Sequence, residues 1–170
     1  KEQLSHSERR YRLLAESMLD IVFTLDSHLK LNYISSSVHR ILGHDSVSVL
    51  KNGLANILTE TSFQYLKRQC HDDLALAVQG IKDCVRTFDV DVFAANGEPM
   101  ILEIQSSILR NEANDVEGIL ATGRDVTQKR FIEKEARTAS EVFENSSESI
   151  IVTEANGHIS RVNKAFTHLS

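Results

Sequence analysis

The side chains that could do chemistry in this sequence are few, and their spacing assembles no reaction centre. His71 and Asp72 form a dipeptide used by some metal-dependent hydrolases, but no further ligands are spaced around them. Cys70 and Cys84 are too few for a disulfide framework, so we expect reduced, buried or half-buried thiols. The motifs Gly-x-Ser-x-Gly, Cys-x-x-Cys and His-Glu-x-x-His are absent. We therefore predict that this chain is not itself an enzyme.

One pair of glycines imitates a phosphate-binding loop. Gly118 and Gly123 have the spacing of such a loop, which continues with lysine and then serine or threonine to contact phosphate and Mg²⁺. Here Arg124 and Asp125 follow, so a bound anion would face the Asp125 carboxylate. The pattern is therefore not a nucleotide site.

Composition narrows the class of protein further. The 170 residues are 41% hydrophobic and 25% charged, as in an ordinary globular protein, and the net charge is -5. No basic stripe is visible, which argues against nucleic-acid binding. No apolar run approaches the roughly 18 to 20 residues of a membrane span, so we expect no direct membrane contact in this piece. A cytoplasmic location is predicted, compatible with a parent protein that is membrane-anchored elsewhere.

Helical periodicity marks three segments. The first residues carry a seam of Leu4, Tyr11, Leu14 and Met18, which would pack on its own domain or pair with a second copy. A long helical region is predicted from about Leu54 to Gly80, with its first turn starting near residues 59–62, where several residues could cap it. A short helix before it, Val38 to Leu42, would end at Gly43.

Beyond Asp125, a second heptad seam predicts another helix, which Asp125 and Gln128 would cap. Its members are Ile132, Ala136, Ala139 and Phe143. The alternative is a short helix that folds back on the domain.

Strand patterns surround the long helix. Ile21 to Leu25 and Leu29 to Ile34 flank turn residues and predict a strand pair. Val85 to Phe93 alternates, and Asn96-Gly97 is a strong hairpin signal before the next strand. Val116 to Gly123 is almost wholly apolar or small, which predicts a central strand.

An internal repeat closes the chain. Residues 142–166 align with residues 14–38 at a constant offset of 128, without a gap. Val22 and Phe23 match Ile150 and Ile151, and acidic Asp26 also has an acidic counterpart, at position 154. So short a repeat cannot bury a core by itself, so we expect it to be poorly ordered or to form a hairpin packed elsewhere.

The order of elements and three local motifs resemble the PAS family. Residues 33–44 are similar to the segment after the second PAS strand, with Gly43-His44 where many members have Gly-Tyr. Asn96-Gly97 is similar to the family's Asp-Gly hairpin, and Asp125-Val126-Thr127 to its terminal Asp-Ile-Thr motif. Residues 143–166 resemble the opening of another PAS domain. Together these motifs cover nearly the whole chain.

This resemblance implies an α+β fold: a five-stranded antiparallel sheet in the order 2-1-5-4-3, with helices on one face. It divides the chain into an N-terminal helix (1–15), a PAS domain (16–127), a signalling helix (128–144) and the truncated start of a second PAS domain (145–170). It also implies a homodimeric sensory module, paired through its flanking helices. The output domain would be a histidine kinase or a cyclic-di-GMP enzyme of the GGDEF/EAL type.

The resemblance also suggests where a signal would enter and leave. Asp125 and Thr127 would form the relay between the last strand and the signalling helix. A small-molecule pocket between the long helix and the sheet would be lined, or simply filled, by apolar side chains. The candidates are Phe63, Leu66, Leu74, Val90, Leu102 and Leu120. If that space is filled, the domain is a connector that only couples its neighbours.

The sequence gives only weak indications of the haem or flavin cofactors that some PAS domains bind. His71 falls near the position of the axial histidine in haem-binding members, but an exposed surface histidine is the favoured interpretation. Neither Cys70 nor Cys84 lies in a segment like that of the reactive cysteine in flavin-binding members. We therefore expect no tightly bound cofactor.

Overall fold

A computed structural model of the chain describes residues 14–16, 18–81 and 85–168. Contacts divide the chain into two compact units, Lys1–Thr127 and Gln128–Ser170. The helix predicted for residues 1–15 lies almost entirely outside the described residues, as does Cys84.

The first unit is built on a five-stranded antiparallel sheet in the order β2-β1-β5-β4-β3, which confirms the predicted fold. Its strands are β1 (Ile21–Asp26), β2 (Leu31–Ile34), β3 (Arg86–Phe93), β4 (Pro99–Arg110) and β5 (Val116–Asp125). β5 lies at the centre, between β1 and β4, as its apolar composition predicted.

Short helices and one long helix connect β2 to β3. They are α1 (Ser37–Leu42), α2 (Ser46–Asn52), a 3-10 helix (Leu54–Asn56) and α3 (Glu60–Val78). Gly43 ends α1 in the left-handed region, with φ of 75°, as predicted. The Asp45 carboxylate caps α2 by accepting from the Ser48 N–H, and Thr59 caps α3 by accepting from Ser62.

The long helix begins where its first turn was predicted, with Thr59 as its cap, whereas the predicted helical region began too early at Leu54. The Phe93 N–H donates to the Ile57 carbonyl, and the Thr59 N–H donates to the Asp91 carbonyl. Leu58 also forms an isolated bridge to Val92. This stretch therefore lies as a short extension beside the edge strand β3, and α3 begins only after Thr59.

The core lies between the inner face of the sheet and the helices. Alternate residues of each strand point into it, as the period of two requires. Among its most buried members are Phe23, Leu25, Val38, Leu42, Val90, Val92, Leu102, Ile104, Ile119 and Ala121. None of the described helices is long and apolar enough to cross a membrane.

The second unit contains a helix and a hairpin. The helix α4 (Thr127–Asn145) starts at the last residue of the first unit. The hairpin pairs β6 (Ile151–Thr153) with β7 (Ile159–Val162), and the short helix α5 (Lys164–His168) follows. The terminal segment is therefore a hairpin, one of the two outcomes expected for it.

The β6–β7 hairpin repeats the register of the β1–β2 hairpin at the same offset of 128. Phe23 pairs with Ile34, and Ile151 pairs with Val162. Both pairs of strands have an irregularity at the same place, after Thr24 and after Val152. The sequence repeat is thus also a repeat of backbone geometry.

A buried polar side chain locks each hairpin in the same way. Ser35 and Val22 exchange two hydrogen bonds, because Val22 N–H donates to Ser35 Oγ at 2.9 Å and Ser35 N–H donates back to the Val22 carbonyl. At the offset of 128, Asn163 does the same for Ile150, with its Oδ1 accepting from Ile150 N–H at 2.9 Å. Ser35 and Asn163 are both almost fully buried.

Candidate functional site

The space between α3 and the sheet, where a ligand was expected, is nearly closed. The void there measures about 20 Å³, roughly the room for one water. Three of the predicted pocket residues line it, namely Leu66, Val90 and Leu102. Leu74 is also buried in the same core cluster without lining the void. The interior of this domain is thus filled by its own side chains.

Leu120 does not belong to the expected pocket. Its neighbours Ile119 and Ala121 point into the core, so the alternation of β5 puts Leu120 on the outer face, where 37% of it is exposed. The apolar run of β5 had predicted a central strand that is buried on both faces. β5 is central in the sheet, but its outer face at Leu120 is exposed.

A larger cavity, of about 260 Å³, lies at one end of the sheet, and we call it the edge cavity. Its walls are the turn between β1 and β2, the segment after α2, and the first turns of α3. Phe63 lines it, and Leu66 lines both this cavity and the central void. The full lining is Leu25, His28, Leu29, Lys30, Leu31, Asn52, Gly53, Leu54, Ala55, Phe63, Leu66 and Lys67.

His71 faces solvent and does not reach the interior. Its side chain is 77% exposed and lies beside Asp72, with 3.8 Å between Nδ1 and the carboxylate. The central void is also far too small for a porphyrin. The arrangement therefore does not fit a haem held by His71, and the favoured interpretation of a surface histidine matches its position.

Cys70 is buried on the inner side of α3. Desolvation, with a further contribution from the negative charge of Asp73, raises the pKa of its thiol to about 12. The thiol is therefore neutral and inert at physiological pH. No group of three or more potential ligands that could hold a metal occurs within residues 14–16, 18–81 and 85–168.

The junction between β5 and α4 is tied to the neighbouring strand. The Asp125 carboxylate accepts hydrogen bonds from the backbone N–H of Thr127, at 2.9 Å, and from its hydroxyl, at 2.6 Å. Thr127 Oγ1 in turn accepts from the backbone N–H of Ile101 on β4, at 2.9 Å. The Val126 N–H donates to the Ile101 carbonyl at 3.0 Å. The first residue of α4 is thus fixed to the sheet by side chain and backbone together.

The structure brings the two predicted relay residues into direct contact. Asp125 satisfies an N–H at the start of the helix, as its position in the sequence predicted. The bond from Ile101 to Thr127 was not foreseen, because Ile101 and Thr127 are 26 positions apart and only the strand register brings them together.

An ion pair holds the same end of β5 to the chain before β1. Arg124 binds the Asp20 carboxylate through two nitrogens, with Nε at 3.1 Å from one oxygen and Nη2 at 2.9 Å from the other. The hydrogen bond and charge of Asp20 raise the pKa of Arg124. Sequence reasoning missed this pair, since no local pattern joins residues 104 positions apart.

α4 carries an apolar stripe whose large side chains are exposed. Phe131, Ile132 and Val142 are 60%, 56% and 67% exposed, and no residue of the helix is buried. We define the α4 stripe as Phe131, Ile132, Ala136, Ala139 and Val142. Phe143, a member of the predicted seam, is half-buried. The Arg161 guanidinium lies over its ring, with 4.6 Å between the guanidinium carbon and the ring centroid.

Similarity to known proteins agrees with this architecture. The profile of the PAS fold family matches residues 15–130. No curated protein matches the sequence.

Several solved structures share the fold at low sequence identity. A PAS domain from Colwellia psychrerythraea is 14% identical, with a TM-score of 0.56 over 70% of this chain and 97% of that one. A PAS domain of an HTR-like protein from Haloarcula marismortui is 21% identical, with a TM-score of 0.51 over 73% and 95%. A domain of a sensory box histidine kinase/response regulator from Geobacter sulfurreducens is 19% identical, with a TM-score of 0.52 over 72% and 96%.

Proposed function

Since this chain belongs to the PAS family, we propose that it is a sensory module that relays changes in its sheet through α4 to an output domain. The observation that carries the proposal is the junction at Asp125 and Thr127. Helix α4 continues directly from the central strand, and Thr127 ties its first turn to β4. A displacement of β4 or β5 therefore moves the base of the helix, and a stiff helix conveys that movement along its length.

Helix α4 has the properties of a rigid lever. It contains 19 residues, with neither glycine nor proline, so it extends over roughly 28 Å at 1.5 Å per residue. Ion pairs reinforce its polar side, with Arg130 bound to Glu133 at 3.0 Å and Arg137 bound to Glu141 at 2.9 Å.

The partner that we propose for the α4 stripe is the same helix of a second copy. Ile132 and Ala139 are seven positions apart, and Ala136 and Val142 extend the stripe by steps of four and three. A heptad repeat of this kind suits two identical helices packed side by side. A parallel pair would place the junctions of both copies at the same end, so a rotation of one helix is matched by the other.

Exchanging one stripe residue for a polar helix former tests the pairing. We expect Ile132→Gln to weaken self-association in sedimentation equilibrium by at least tenfold, since a buried isoleucine contributes roughly 1.5 to 3 kcal/mol and both copies lose it. The matched control is Lys134→Gln, on the opposite side of α4. A chain that is monomeric at every concentration, or two variants with equal affinity, would contradict the proposal.

The output domain that we propose is the catalytic part of a signalling enzyme. The sensory box histidine kinase from Geobacter sulfurreducens contains a domain of this fold, which makes a histidine kinase the first candidate. An enzyme of the GGDEF/EAL type is the second. In both cases this chain supplies regulation and no catalytic residue.

The closed interior supports a connector as the second candidate function. A PAS domain whose core holds a void of only about 20 Å³ needs no interior ligand in order to fold or to couple its neighbours. Relay through α4 is common to both functions, and they differ in whether a small molecule binds this domain.

We also propose that the β6–β7 hairpin opens a second domain of the same fold. Ile151 and Ile159 are 45% and 61% exposed, whereas their counterparts Phe23 and Leu31 are 4% and 6% exposed. The apolar face that is bare in the second hairpin is thus the face that the core of the first domain covers. α4 then connects two domains of one kind.

Matched polar substitutions in the two hairpins test this proposal. In this chain we expect Ile159→Asn to change the free energy of unfolding by less than about 0.5 kcal/mol, and Leu31→Asn to lower it by roughly 3 kcal/mol. In the parent protein, Ile159→Asn should destabilise the region after α4 as Leu31→Asn destabilises the first domain. If Ile159→Asn is neutral there as well, the hairpin does not begin a folded domain.

A further inference from the structure

The edge cavity has a floor of core residues. Leu25, Leu31 and Leu66 are 2%, 6% and 3% exposed, and Phe63 is half-buried beside them. The floor is therefore apolar and held in place by the packing of the whole domain, so it offers a fixed surface to an apolar ligand group.

The rim of the cavity is basic. His28, Lys30 and Lys67 line it, and no aspartate or glutamate does, although the net charge of the chain is -5. Neither lysine forms a salt bridge in the described part of the chain. The nearest acid along the turn, Asp26, is not a lining residue. Its carboxylate accepts from the backbone N–H groups of His28, at 2.8 Å, and Lys30, at 3.0 Å.

The turn that carries His28 and Lys30 holds an unusual backbone conformation. Leu29, between them, has a φ of 62°, in the left-handed region that L-residues other than glycine rarely adopt. Its amide donates to the Asp26 carbonyl at 2.9 Å, and its half-buried side chain lines the cavity.

The second hairpin provides an internal comparison for Leu29. The residue at the same place, 128 positions on, is Gly157, with φ of 87°. Gly157 adopts this conformation without strain, so the turn itself does not require a leucine. In the first hairpin, a leucine that forms part of the cavity wall occupies this strained conformation, and such strain clusters at functional sites.

From these observations we propose that the edge cavity binds a small organic carboxylate with a compact apolar body, such as an aromatic or branched aliphatic acid. The leucines and Phe63 take the apolar body, and Lys30 and Lys67 take the carboxylate. A cavity of ~150 Å³ accommodates benzene, so about 260 Å³ suffices for a ring with a short acidic side chain. The proposal deepens the sensory function and rests on it, because it names the class of signal.

A ligand in this cavity has a short route to α4. Leu25, on the cavity floor, lies in β1 directly opposite Ile119 of β5. β5 runs into α4 through the junction at Asp125 and Thr127. A ligand that presses on Leu25 or Leu66 therefore acts on the central strand without having to open the closed core.

Calorimetric titration with 3-phenylpropionate and with its neutral amide tests the proposal, and amide chemical shifts locate the binding. We expect saturable binding of the acid, at least tenfold weaker binding of the amide, and shifts that concentrate at His28, Lys30 and Gly53. Lys30→Gln and Lys67→Gln should each weaken binding two- to fivefold, or about tenfold together. Lys129→Gln, on α4, is the charge-matched control and should leave the affinity unchanged.

Three results would overturn the proposal. The first is no saturable binding of 3-phenylpropionate, benzoate or 4-methylpentanoate at up to about 10 mM. The second is equal affinity for acid and amide, and the third is equal affinity in the lysine variants and the control. None of these results bears on self-association of Ile132→Gln, so failure here is distinguishable from failure of the relay.

Discussion

Cys70 is the side chain whose surroundings most change its chemistry. It is 2% exposed on the inner side of α3, and burial raises the pKa of its thiol from an ordinary value of 9.0 to about 12. Between pH 9.0 and about 12, the thiol loses its proton in the unfolded chain but keeps it in the folded chain. Folding therefore loses stability as the pH rises through this range.

This difference predicts a specific alkaline destabilisation. Above pH 9.0, the free energy of unfolding should fall by up to about 1.4 kcal/mol per pH unit on account of Cys70 alone. Cys70→Ala lacks this thiol and keeps every other side chain of the chain, so its stability should fall less steeply over this range. Denaturant unfolding of both proteins from pH 8 to about 10.5 checks this. Stability curves that stay parallel over that range would show that Cys70 ionises equally easily in both states.

At the scale of residues, the sequence predicted which side chains are apolar or charged better than it predicted whether each one faces the core or the solvent. The period of two along β3 and β4 correctly predicted that Val90 and Leu102 face the core. For Leu120, an apolar run without alternation led to a wrong placement in the pocket, because the side chain points outward. The ion pair of Asp20 with Arg124 could not be predicted from the sequence. The two residues are 104 positions apart, and each alone looks like an ordinary charged surface residue.

At the scale of elements, Gly118 explains how closely β1 and β5 approach each other. A Cβ atom at this position would lie 2.0 Å from the Leu25 carbonyl oxygen, which is backbone and cannot rotate away. The glycine that looked like part of a phosphate loop is thus required by strand packing.

Gly118→Ala should therefore be among the most damaging single substitutions in this domain. We expect it to lower the free energy of unfolding by at least about 3 kcal/mol, since two central strands must separate. Gly97→Ala is the control, with φ of 84° and no atom within 4 Å of the added Cβ. It should cost only about 1 kcal/mol of backbone strain. Similar losses in the two variants, measured by chemical denaturation, would contradict the close approach.

The boundaries of elements were predictable where local chemistry decides them. Gly43 and Asp125 marked a helix end and a helix start, because capping depends on residues adjacent in sequence. The candidate caps at residues 59–62 also located the start of α3. The pattern could not show that Ile57 and Thr59 pair with β3, more than 30 residues later. α2, capped by Asp45, was missed because seven residues give little periodicity.

At the scale of the whole molecule, the chain consists of a five-stranded domain with a closed core, followed along the sequence by a helix and a second hairpin. The repeat offset of 128 was visible in the sequence, although only one of the 25 aligned pairs, Glu16 with Glu144, is identical. It became convincing through the matching registers and through Ser35 and Asn163, which make the same hydrogen bonds with different side chains. This conserved geometry supports an array in which α4 couples one domain to the next.

The most direct test of the relay is the distance between the α4 helices of two copies, measured by electron spin resonance. Spin labels at Ala139→Cys, in a Cys84→Ser background, report this distance, since Cys70 is buried and unreactive. We predict one narrow distance in the otherwise unchanged chain and in Thr127→Ser. Thr127→Val, which leaves the Ile101 N–H without its acceptor, should shift or broaden it. A distribution that is identical in all three proteins would contradict a relay through this junction.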